Sequence, residues 1–81
     1  MSQHFYHAVF HMRCKTESNS FSGYILALNA QEAYRKAQKI CAAQRASFPG
    51  LKTACRHNDI TCRRKDAAER EIASGTKLFQ I

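Results

Sequence analysis

Cys55, His57 and Cys62 bring two thiols and an imidazole within eight residues, and His4, His7 and His11 lie upstream. Zinc chemistry needs four thiolate or imidazole ligands held tetrahedrally, usually supplied as two close-spaced pairs. The chain has no Cys-x-x-Cys. His7 and His11 fall on one face of an extended segment, where four residues separate them by roughly 13 Å, too far for one ion. Cys14 and Cys41 read as core thiols, the usual setting of an unpaired cysteine. The expectation is therefore no metal and no cofactor, with Cys55, His57 and Cys62 the sole candidate ligands.

The same three residues are the best candidates for a nucleophile and its base. Nucleophilic catalysis also requires a group to orient the base and donors for the oxyanion. The sequence identifies neither. It contains no glycine-rich phosphate loop, no nucleophile elbow and no acid pair of recognisable spacing. Its acids are few, and Glu32, Asp66 and Glu69 are accounted for as helix-start residues. A non-enzyme is expected.

Cations are the chemistry this chain has in excess. Thirteen Lys and Arg against six Asp and Glu give a net charge of +7. A field of that sign favours acidic or polyanionic partners. Two runs stand out: Arg35, Lys36 and Lys39, and then Arg56 with Arg63, Arg64 and Lys65. They form one binding surface only if the second run folds onto the same side as the first. Phe5, His7 and His11 would add stacking groups for bases if their strand face is open.

The elements that must position these residues follow from periodicity. His4 to Cys14 alternates, with Tyr6, Ala8, Phe10, Met12 and Cys14 on a core face and Phe5, His7, Val9, His11 and Arg13 on the other. Lys15 to Ser20 is polar and reads as a loop longer than a two-residue turn. Phe21 to Leu28 reads as the second strand of an antiparallel hairpin.

Asn29 and Glu32 carry the spacing of a helix cap. Ala30, Ala33, Tyr34, Ala37, Ile40, Cys41, Gln44 and Phe48 then form the apolar stripe of a helix with one buried face, ended by Pro49-Gly50. Leu51–Arg56 and Ile60–Arg64 suit short strands joined at His57-Asn58-Asp59. Asp66 and Glu69 repeat the cap spacing for a short helix to Ser74, with Gly75 beyond it. Lys77 to Ile81 suits a terminal strand.

The expected fold is α+β. A small antiparallel sheet begins with a β-hairpin, one main helix packs on one face, and short strands, a short helix and a terminal strand follow. The length predicts one domain over residues 1–81. The N-terminal residues do not pattern as a signal peptide, and no stretch is long and apolar enough to span a bilayer. A cytoplasmic location with reduced cysteines is expected.

The expected function is a small non-catalytic binding protein of inhibitor or adaptor type. Its basic surface would engage an acidic protein surface or a nucleic-acid-handling enzyme. The alternative is direct binding of DNA or RNA with little sequence specificity. The residues expected to carry either function are Arg35, Lys36, Lys39, Arg56, Arg63, Arg64 and Lys65, with no membrane contact.

Overall fold

A computed structural model describes residues 2–81. The elements run β1 (His4–Cys14), β2 (Glu17–Ala27), α1 (Ala30–Ser47), β3 (Lys52–Ala54), a one-turn 3-10 helix (His57–Asp59), β4 (Ile60–Arg63), α2 (Lys65–Ala73) and β5 (Lys77–Leu78). They form an α+β fold in which β1 and β2 make an antiparallel hairpin at the centre of the sheet. One edge of β1 carries both β3 and β4 in antiparallel register, and β5 joins β2 in parallel, so the sheet is mixed.

The hairpin differs from the expected one. Its loop is only Lys15-Thr16, with Cys14 facing Glu17 across it. Lys15 adopts a φ of 55°, the positive value that lets a two-residue loop follow the twist of its strands. The polar run Glu17–Ser20 is strand because nothing lies beneath it to demand apolar side chains. Both strands therefore extend beyond the core, and Cys14, expected inside, is exposed at the tip.

Alternation divides the sheet into two faces. Tyr6, Ala8 and Phe10 are buried on one, together with Ile25, Ala27 and Cys55. Helix α1 covers that face with Ala33, Ala37 and Cys41, all fully buried. These small residues let the helix axis approach the strands closely. Full burial of Phe10 and Ile25 contributes about 1.5–3 kcal/mol each. The helix begins as expected: Asn29 Oδ1 accepts the Glu32 N–H at 2.8 Å, and Glu32 Oε1 accepts the Leu28 N–H at 3.1 Å. Phe48 caps the other end and is 57% exposed, so the stripe stops at Cys41 and Gln44 rather than reaching Phe48.

Helix α2 lies on the opposite face. Tyr24 faces His7 across the hairpin, and its hydroxyl donates to Glu71 of α2. Phe5 and His7 meet the Tyr24 ring edge-on, with centroids 6.1 and 5.2 Å away. Asp66 does not cap this helix. Arg64 holds the cap position, and Asp66 sits in the first turn, 3.4 Å from Arg64 Nε. The C-terminal end closes as the sequence indicates. Gly75, at φ 116°, donates to Ile72 O, and Thr76 donates to Glu71 O, the paired bonds of a Schellman motif.

The segments flanking the 3-10 turn are not a hairpin. β3 and β4 run end to end along β1, and the turn is an excursion between them.

Candidate functional site: a cationic trough on the open half of the sheet

Helix α2 covers only one end of its face, near Phe5, His7 and Tyr24. Towards the hairpin tip the same face is open. Its side chains there are set by the register: His11 lies opposite Ser20 and Ala54, and Arg13 opposite Ser18 and Lys52. The small serines and Ala54 leave a trough between the long cationic side chains. A cavity of about 370 Å³ is lined by His11, Met12, Arg13, Ser18, Asn19, Lys52, Ala54 and Arg56. A second, of about 250 Å³, adjoins it at His11, Ala54 and Arg56 and adds Asp59. Among the described residues lining the two, Asp59 is the single carboxylate.

The 3-10 turn builds one wall. Asp59 Oδ2 accepts the Arg56 N–H at 2.9 Å, and its Oδ1 lies 3.2 Å from His11 Nε2. The other side of the turn is fixed to α1: His57 stacks on Tyr34 at 3.7 Å between centroids, and Gln38 donates to Cys55 O at 2.7 Å. Arg56 is thus held at the trough while its neighbours anchor to the opposite layer.

The Arg56 N–H, and then His11, hold the Asp59 carboxyl below its usual range, against a partial loss of hydration. A depressed folded-state pKa stabilises the fold above the unfolded value of about 3.9 and ceases to do so as pH falls through the lower folded value. Wild-type protein should therefore lose stability on acidification below about pH 4 more steeply than Asp59→Asn. Parallel urea midpoints against pH for the two proteins would contradict this role for Asp59.

The expected binding residues are placed in three separate settings. Arg35 and Lys39 are exposed on α1. Lys36 is drawn into the fold, where its Nζ donates to Leu26 O at 2.7 Å and lies 3.6 Å from Glu32 Oε1. Arg63 pairs with Glu71 at 3.6 Å on the α2 side, followed by Arg64 and the exposed Lys65. The α1 and α2 layers lie on opposite faces of the sheet, so the two runs do not form one surface. Arg56 alone lines the trough. Arg13, Lys52 and His11, its other cationic or imidazole residues, belong to no charge run. Their signal was the alternation of β1 itself, which gives His11 and Arg13 a shared face.

The cysteines and histidines disperse. Among the described residues, no three His, Cys, Asp or Glu side chains come together as a metal site. Cys55 is buried and Cys62 exposed, and the His57 ring is stacked on Tyr34. Burial, followed by Asp59 and Cys41, pushes the Cys55 thiol up to about 12, which disfavours the thiolate a nucleophile needs. Burial, and then Arg63, lowers the pKa of His7. No helix among the described residues is long and apolar enough to cross a membrane.

Comparison with protein-family models, with curated proteins and with solved structures finds no match to this chain.

Proposed function

We propose that this chain is a non-catalytic binding protein, of inhibitor or adaptor type, whose basic trough engages a carboxylate-rich protein surface, including that of a nucleic-acid-handling enzyme. One observation carries this reading. Arg13, Lys52, Arg56 and His11 converge on one concavity with a single carboxylate among them. Guanidinium groups pair with carboxylates through two parallel hydrogen bonds, so a compact cluster of them suits a cluster of acids. Direct binding of nucleic acid draws less support. Of the three side chains on which a base would stack, Phe5 and His7 are committed edge-on to Tyr24 beside α2, and His11 alone faces the trough.

The test compares poly-glutamate with duplex and single-stranded DNA, by calorimetry over a salt series. Poly-glutamate should bind more tightly than either nucleic acid. The triple variant Arg13→Glu/Lys52→Glu/Arg56→Glu should bind it about 100-fold more weakly, at roughly 1 kcal/mol per site. All three positions are exposed, so the variant should melt close to wild type. Tighter binding of DNA would favour the nucleic-acid reading instead. Unchanged affinity in the triple variant would remove the trough from either.

A further inference from the structure

The trough is bordered by an unpaired strand edge. β5 pairs with β2 at Gly23 and Tyr24, and the Lys77 N–H takes the outward Ser22 C=O in that ladder, so among the described residues Glu17 to Phe21 of β2 have β1 on one side and no strand on the other, and Ser22 keeps only its outward N–H. In an antiparallel pair, alternate residues turn their N–H and C=O towards the partner strand and the intervening ones turn theirs away. The phase is fixed at both ends. Cys14 and Glu17 flank a two-residue loop and face each other as a hydrogen-bonded pair. At the other end Tyr24 O points outward and accepts the Phe79 N–H at 2.8 Å. Counting in twos back from Tyr24, the backbone groups of Ser22, Ser20 and Ser18 also point outward.

These same three serines have their side chains on the face of the trough. Ser18 and Ser20 lie directly opposite Arg13 and His11. A strand added outside β2 would sit two strand spacings from β1, about 10 Å. Extended Glu and Arg side chains can meet across that gap because only a serine stands between them. Every second side chain of the added strand would face Arg13, His11 and, beyond them, Lys52.

We propose that the partner is an extended acidic peptide segment, with acids at alternate positions, that adds as a strand to the Glu17–Ser22 edge of β2. Backbone hydrogen bonds to Ser18, Ser20 and the Ser22 N–H supply register, and the trough selects the acidic side chains. This proposal rests on the carboxylate-binding reading of the trough and assigns the geometry of its partner.

The test uses a labelled synthetic peptide, Thr-Glu-Thr-Glu-Thr-Glu-Thr, in anisotropy titrations and amide hydrogen exchange on the intact chain. On binding, the amides of Ser18, Ser20 and Ser22 should become protected, while those of Asn19 and Phe21, already bonded to β1, should change little. Ser20→Pro removes one outward N–H from an edge strand, a position where proline is tolerated, and should weaken the peptide about 10-fold. Arg13→Glu should weaken it at least as much. Strand addition is overturned if Ser20→Pro binds like wild type or if the three serine amides gain no protection. It is also overturned if the peptide fails to bind a protein that binds poly-glutamate; the carboxylate-binding reading survives each of these results. Failure to bind either probe overturns both. The exchange measurement uses wild-type protein, so the outcome does not depend on how well Ser20→Pro folds.

Discussion

Ala37→Asp leaves the protein unfolded at ambient temperature or lowers its Tm by roughly 15–30 °C, for a cost of about 4 kcal/mol. Ala37 is fully buried in the cluster formed by Ala8, Phe10, Ile25, Cys41 and Cys55. A carboxylate there would lie between helix and sheet with no cation in that cluster to pair with, and its desolvation is not offset. A domain of this size holds only some 5–15 kcal/mol of net stability, so one such residue removes a large part of it. Ala43→Asp is the control. Ala43 lies on the same helix but is exposed, and the change should cost about 1 kcal/mol or less, mainly through helix propensity. Similar melting curves for the two variants would mean that α1 does not pack through Ala33, Ala37 and Cys41.

Gly23→Ala should lower stability by about 1–3 kcal/mol, the usual cost of forcing a methyl group into filled space. Gly23 lies opposite Ala8 on the α1 face and beside Lys77 of β5. A Cβ at that position would come within 2.7 Å of Lys77 O and would strike the Phe79 ring. That ring is itself packed against Phe10 at 5.4 Å and Phe21 at 6.2 Å between centroids. A flexible side chain could move aside, but the backbone carbonyl of a paired strand cannot do so without loosening the pairing. The loss should therefore be local as well as global: exchange of the Phe79 amide, bonded to Tyr24 O, should accelerate before that of β1. Intrinsic propensity argues the other way, since alanine in a strand normally improves on glycine. A Gly23→Ala variant more stable than wild type would show that β5 and Phe79 are not held as described.

Where a buried face exists, its pattern was legible in the residues. Asn29, Glu32, Ala33, Ala37 and Cys41 define α1 because capping and burial impose a fixed spacing. The tip of the hairpin was misread for the opposite reason. Ser18 and Ser20 keep strand alternation, but with solvent on both sides no hydrophobic contrast marks it, and polarity alone resembles a loop. Cys14 and Phe48 continue apolar patterns beyond the point where anything covers them.

The site was harder to read because charge runs record only proximity along the chain. Arg63, Arg64 and Lys65 are adjacent in sequence, yet Arg63 is paired with Glu71 and Arg64 with Asp66. Arg13, Lys52 and Arg56 are scattered in sequence and meet only because β3 and the turn after it lie along β1. Long-range strand pairing made the trough, and no local window contains it.

The 3-10 turn between β3 and β4 has a consequence for chain length. Ala54 faces His11 and Ile60 faces Ala8, so six steps along one strand answer three along the other. The surplus is His57, Asn58 and Asp59, which leave the sheet and return. Cys55 before the excursion and Ile60 after it both pack into the core against Ala8, Phe10 and Ile25. The inward and outward assignment of side chains on β3 and β4 is therefore independent of how many residues the excursion holds. At this edge the chain can grow or shrink without turning its core side chains out to solvent, and it is also the wall that carries Arg56 and Asp59.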